Sequence, residues 1–169
     1  MQPLTEPEIR ASFVNCSKGE VKRLRLPGDL DSRDWSDHDY LGWVDARSPH
    51  QAFIVAPTDQ GLVGIKLRRN VGGTGPVRAR MCSLCITTHP GSGVSLMVAP
   101  RAGNAGRDGN SIGLDICSDL TCSSYVRGLI PAPGLSHARE TLRPEERVAR
   151  LQLNVASFLG RVLRERRSA

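Results

Sequence analysis

Aromatic residues are scarce in this chain: Phe, Trp and Tyr make up 4% of its 169 residues. Proteins that read single-stranded nucleic acid stack bases on aromatic side chains, so that class is disfavoured. Nothing approaches the roughly 20 apolar residues that a membrane span needs. The N-terminal Met1-Gln-Pro-Leu-Thr-Glu-Pro-Glu8 has neither the basic start nor the apolar core of a secretory signal. No membrane partner is expected, and the expected location is cytoplasmic. The glycine run Val71-Gly-Gly-Thr-Gly-Pro76 reads as a flexible loop. It lacks the Lys-Ser/Thr that completes a phosphate-binding loop, and Pro76 removes an amide donor. No His-x-Glu precedes a Pro-Cys-x-x-Cys, which excludes the zinc deaminase pattern. No Ser-His or Cys-His signature stands out either. The chain is therefore expected not to be an enzyme and to take no small-molecule substrate.

What is present begins with charge. Twenty-three Lys and Arg against 17 Asp and Glu leave a net +6. That balance by itself suits an acidic partner: nucleic acid, an anionic membrane or an acidic protein. Seventeen glycines and 11 prolines make the chain rich in loops. A chain with so many loops and so few aromatics gains from an internal staple, and a metal bound only by the folded state supplies one.

Four of the five cysteines form two close pairs, Cys82-Ser-Leu-Cys85 and Cys117-Ser-Asp-Leu-Thr-Cys122. Close pairs joined by a longer excursion are how a chain builds a tetrahedral four-thiolate Zn²⁺ site. A cytoplasmic setting keeps thiols reduced, which favours metal over disulfide. A shell of four thiolates has no open position for a reacting water, so the zinc is expected to be structural. His89 is a further candidate ligand. Because two complete pairs already fill the shell, it is expected beside the ligands or at the surface. Cys16 reads as a small buried or half-buried residue.

The elements follow from periodicity and punctuation. Residues 1–20 hold a short helix capped by Thr5, with Pro7 in its first turn and Ile9, Phe13 and Val14 on one apolar face. Val21 to Leu26 alternates like a strand, ended by Pro27-Gly28. Trp35, Tyr40 and Trp43 are expected to form one small satellite core with their polar tips at its edge. Gln51–Ala56 and Leu62–Leu67 read as a hairpin around Pro57-Thr-Asp-Gln-Gly61. Two more strands follow, Val94–Ala99 and Ser111–Ile116, with a glycine-rich loop between them that carries Arg101 and Arg107. A helix is expected from Asp119 to Arg127, capped by Ser118 and stopped by Gly128. Pro131 to Gly134 reads as a linker. Pro144 opens the last helix, whose apolar stripe runs through Val148, Leu151, Val155, Phe158, Leu159, Val162 and Leu163. Arg161, Arg164, Arg166 and Arg167 crowd its C-terminal end.

A two-ligand knuckle, a hairpin, and a helix start with the last two ligands are the parts of a treble-clef finger in order. The expected fold is α+β: antiparallel strands with a treble-clef zinc finger and a C-terminal amphipathic helix. The expected division is an N-terminal helical segment, 1–20, and a zinc-finger domain, 21–165. Within that domain the finger core covers 78–128 and the last helix 144–166.

Three segments carry a resemblance to a known family: Arg78-Ala-Arg-Met-Cys-Ser-Leu-Cys85, Ala102-Gly-Asn-Ala-Gly-Arg-Asp-Gly-Asn-Ser-Ile-Gly113 and Ile116-Cys-Ser-Asp-Leu-Thr-Cys-Ser-Ser-Tyr-Val-Arg127. They resemble the C-terminal treble-clef zinc-finger domain of elongation factor G-binding proteins, the family that includes the fusidic-acid resistance proteins. Asp39-Tyr-Leu-Gly-Trp43 and the last helix are similar as well, so the likeness covers about residues 10 to 163. It implies zinc on Cys82, Cys85, Cys117 and Cys122, and partners in elongation factor G and/or the ribosome with its rRNA. The basic residues Arg68, Arg69, Arg78, Arg80, Arg101 and Arg107 are candidates for the contact surface. The chain is expected to act as a monomer. The other reading is an RNA-binding treble-clef module with no elongation factor partner.

Overall fold

The computed structural model describes residues 1–71, 78–133 and 141–164. Two short helices open the chain, α1 (Glu6–Ala11) and α2 (Lys18–Arg23). Each starts with a capping box. Thr5 and Ser17 accept the amides of Glu8 and Glu20, whose carboxylates accept the Thr5 and Ser17 amides in return. The second helix corrects the strand expected over Val21–Leu26. Ser17-x-x-Glu20 satisfies two orphan amides at once, which outweighs a three-residue alternation, and the helix runs to Arg23 with Leu24 beyond it at φ −58° and ψ 134°. The first helix also stops earlier than expected. Phe13 has left it and lies beside Gly64 in an isolated parallel bridge.

Strands β1 (Leu41–Asp45), β2 (Ser48–Thr58), β3 (Gly61–Arg69), β6 (Val94–Pro100) and β7 (Ser111–Cys117) form one antiparallel sheet in the order β1-β2-β3-β6-β7. The turn between β2 and β3 is the expected one, and the pairing closes at Thr58 and Gly61, where Gly61 adopts a φ of 100°. Between β3 and β6, the short pair β4 (Arg80–Met81) and β5 (Thr88–His89) flanks the first two cysteines. The glycine run falls largely on residues 72–77, outside the described residues, and Arg166 and Arg167 lie outside them as well.

Side-chain alternation along the strands divides the hydrophobic residues between two faces. Ala52, Ile54, Ala56, Val63, Ile65, Leu67 and Met97 point inward, against helix α5 (Pro144–Leu163). The buried stripe of α5 is Leu151, Val155, Phe158, Leu159 and Val162, close to the expected one. On the outer face Leu41, Trp43, Phe53 and Val55 are covered by Ile9, Leu24 and Trp35 from the N-terminal segment. Trp43 stacks on Phe53 at 4.9 Å between ring centroids. The three aromatics expected to cluster are thus split. Trp35 and Trp43 face outward, whereas Tyr40, one residue out of phase with Leu41, turns inward and donates to the Leu120 carbonyl at 2.9 Å. The pleat decides this, because neighbours along a strand point to opposite faces.

The glycine-rich segment between β6 and β7 is not a plain loop. It contains helix α3 (Gly103–Arg107) and is tied to the end of α5: the Ala102 amide donates to the Val162 carbonyl, and Arg101 donates to the Arg161 and Arg164 carbonyls at 3.0 and 2.9 Å. A cation is favoured there by the helix dipole. Gly106 is required, since a Cβ would stand 1.9 Å from the Arg101 carbonyl oxygen. Helix α4 (Cys122–Arg127) starts later than the expected Asp119 and is not capped by Ser118. Ser118 is instead hydrogen-bonded to Ser95 and Ser92. Residues between Cys117 and Cys122 turn tightly, with Leu120 at a φ of 60°, so that both sulfurs reach one point. Gly128 ends the helix in the left-handed conformation at φ 70°, as expected.

Candidate metal centre

The zinc-binding residues arrive from three directions. Cys82 and Cys85 sit in the turn between β4 and β5, Cys117 ends β7, and Cys122 opens α4. The turn is closed by the Ile86 amide donating to the Cys82 carbonyl at 2.9 Å and the Cys82 amide to the Thr87 carbonyl at 2.9 Å. Ile86 takes a φ of 64° to close it, a costly conformation for a β-branched residue. All four cysteines are buried, and none is in a disulfide.

Their sulfurs lie within 4.8 Å of one another. Two edges are shorter, Cys82–Cys122 at 3.7 Å and Cys85–Cys117 at 3.5 Å. A tetrahedral zinc with Zn–S bonds near 2.3 Å has sulfur–sulfur edges of roughly 3.8 Å. The cluster therefore suits a Zn²⁺ ion, and four buried thiolates leave its coordination closed.

Protonation points the same way. Hydrogen bonds from Cys117, Cys122 and Cys85 hold the Cys82 thiol far below its ordinary range. Burial pushes Cys122 far above it. Four thiolates cannot share one dry pocket without a cation, and zinc provides the charge that lets them ionise together.

A zinc with four thiolates still carries a net charge of −2, and nearby donors spread it. The Leu84 and Cys117 amides each lie 3.4 Å from the Cys82 sulfur. His89, buried, places Nε2 3.3 Å from the Cys117 sulfur and meets the edge of the Tyr125 ring. It supports a ligand from outside the four-sulfur cluster.

The six candidate arginines do not converge. Arg68 lies on the outer face of β3, paired across from Val98. Arg80 makes an ion pair with Asp115 on the adjoining edge of β7. Arg69 pairs across from Met97 on the opposite face, and its guanidinium donates to the Pro49 carbonyl at 3.4 Å. Arg101 is committed to the end of α5. Arg107 bonds Asn104 at 2.5 Å on α3. Arg78 is exposed just before β4.

One buried constellation joins residues of separate motifs whose pairing no spacing in the sequence signals. Asp39 is almost wholly buried and accepts both guanidinium nitrogens of Arg127 on α4, plus the Gln152 amide of α5 at 2.9 Å. Its own amide donates to the Ser123 hydroxyl at 3.0 Å. The finger helix is thereby locked to α5 and to the start of β1. Partners 88 and 113 residues apart leave no local spacing to recognise.

Among the described residues no helix is long and apolar enough to cross a membrane. No curated protein matches the chain significantly. Among solved structures it is similar to that of the fusidic acid resistance protein FusC, with 23% identity and a TM-score of 0.47. That match covers 62% of this chain and 46% of the other, so it spans less than half of that protein. The FBP C-terminal treble-clef zinc-finger family matches over residues 8–162, which takes in all four cysteines, the sheet and nearly all of α5. The chain belongs to the FBP C-terminal treble-clef zinc-finger family.

Proposed function

We propose that this chain is a zinc-stabilised binding protein of the translation apparatus, docking on elongation factor G and/or the ribosome, and that it is not an enzyme. Family membership is the observation that carries this reading. The zinc in it is structural: it joins the knuckle, β7 and α4, and its closed thiolate shell leaves no position for substrate or water. Such a role belongs in the cytoplasm and concerns fusidic acid only insofar as the drug traps the factor on the ribosome.

The docking face is the half of the outer sheet that no other element covers among the described residues. The N-terminal segment covers β1 to β3, but Leu96 and Val98 on β6 face outward beside Gly113 and Asp115 of β7. Met81 is 53% exposed in the neighbouring knuckle and Leu96 37% exposed. Arg68 flanks Val98, and Arg80 flanks Asp115. An apolar centre with a rim of arginines is the usual composition of a protein-binding patch.

Co-sedimentation of the zinc-loaded chain with ribosomes, with and without elongation factor G and fusidic acid, tests the proposal. Binding in either factor-containing arm, lost in a Met81→Asp/Leu96→Asp variant that keeps its zinc, is the expected outcome. A chain that stays in the supernatant in every arm, and is not retained by immobilised elongation factor G, refutes it.

A further inference from the structure

Away from the zinc knuckle, α2, the turn between β1 and β2, and the middle of β3 line an open cleft of about 380 Å³. Its lining holds four cations, Arg23, Arg25, Arg47 and Lys66, and two carboxylates, Glu20 and Asp45. The acids offset only part of that charge. Glu20 is taken by Lys66 at 2.9 Å, and Asp45 accepts the backbone amide of Arg47 at 2.8 Å. Among the described residues Arg23, Arg25 and Arg47 make no ion pair. Four cations against two carboxylates leave the concavity positively charged, and its three guanidinium groups belong to no ion pair among the described residues.

Each of the three starts from a backbone position that the fold fixes, and each side chain is exposed to solvent. Arg23 closes α2. The Arg25 carbonyl accepts the Trp43 indole N–H at 2.9 Å, which anchors it to the outer core. Arg47 is held in its turn by the Asp45 carboxylate. Guanidinium groups suit phosphate oxygens because their N–H donors pair with two oxygens at once. Among the described residues no aromatic side chain lines the cavity, so none of them stacks on a base there. Gln51 on the cavity wall lies directly across from Arg68, so the positive surface continues along the outer sheet face toward the docking patch.

We infer that this cavity binds backbone phosphates of RNA without regard to sequence, as a second anchor beside the protein-docking face. The inference deepens the ribosome half of the proposed function and rests on it. The partner chemistry is a phosphodiester chain long enough to run from the cavity past Arg68.

The test is fluorescence anisotropy of the zinc-loaded full chain with a labelled mixed-sequence RNA, repeated over a salt series. Arg23→Gln/Arg47→Gln should weaken binding about tenfold at low salt, given the strength of hydrogen bonds to charged groups. It should also flatten the log–log salt slope by about 0.7 for each phosphate that is no longer neutralised. Arg161→Gln, on the exposed side of the helix behind the sheet, removes the same charge unit and should change little. Both variants should keep their zinc and melting temperature, since the altered groups are not buried. Three outcomes overturn the inference: unchanged affinity in the double variant, an equal loss per charge in Arg161→Gln, or saturable binding of inorganic pyrophosphate with none of RNA. The two proposals fail separately. A chain that sediments with ribosomes yet ignores bare RNA sinks only this one. A chain that binds RNA through the cavity but neither ribosome nor factor sinks only the docking role.

Discussion

Replacing Asp39 by alanine tests whether the buried constellation holds the finger to the rest of the domain. The carboxylate side chain is 1% exposed and receives Arg127 through two nitrogens and Gln152 through one. Removing one partner from a buried ion pair costs about 3–5 kcal/mol, because the other charge is left without compensation. The Arg127 side chain is 19% exposed, so water recovers part of that cost and the lower end, about 3 kcal/mol, applies. For a chain of this length each kcal/mol moves the melting temperature by about 2–4 °C, so a fall of roughly 6–12 °C is expected. Urea and thermal unfolding of the zinc-loaded protein measure it, with an unchanged m-value showing that stability alone has moved. In an Arg127→Met background the same Asp39→Ala change should cost much less, with a coupling of about 2 kcal/mol between the sites. Zinc content should stay stoichiometric, since Asp39 touches no sulfur. A loss below about 1 kcal/mol, or simple additivity of the two changes, would show that the pair does not bear on stability as argued.

Three further expectations concern the metal and the N-terminal helices. Cys82→Ser should lose zinc and destabilise the whole domain, whereas Cys16→Ser should keep full metal content; Cys16 stands outside the sulfur cluster, and burial with Glu20 nearby pushes its thiol up to about 11. Metal analysis and thermal melts of the two variants check this, and zinc loss on the Cys16 change would mean the ligand set is wrong. His89→Ala should retain zinc at saturation but weaken its hold by about 10–100-fold in chelator competition, because the Cys117 sulfur loses a donor. Glu20 is drawn from its ordinary 4.5 to about 2 by the hydrogen bond from Lys66 and those from Ser17. A depressed carboxylate stabilises the fold above its ordinary value, and that contribution drains away as the pH falls from 4.5 toward 2. Its side chain is 39% exposed, so solvent screening limits the effect to less than about 1 kcal/mol. The gap in unfolding midpoint between wild type and Glu20→Gln should therefore close on acidification, and a gap that widens would reverse the assignment.

Features that depend on neighbours along the chain are legible in the sequence alone. Two cysteine pairs specify the metal, because each pair spans one turn and a turn is local. The hairpin at residues 57–61, the stripe of α5 and the Gly128 stop are legible for the same reason. Ser17-x-x-Glu20 is equally local, and its capping chemistry is a stronger signal than the alternation that suggested a strand over 21–26. Features that depend on the face to which a residue points emerge only when the chain has packed. Tyr40 and Trp43 part company across the sheet, Arg68 and Arg69 fall on opposite faces of one strand, and Arg101 turns from a surface charge into the cap of a distant helix. Asp39 finds Arg127 and Gln152 only after three elements have come together. Pleat, strand order and helix docking arise from burial summed over the whole chain, and that sum has no signature in any short window of sequence.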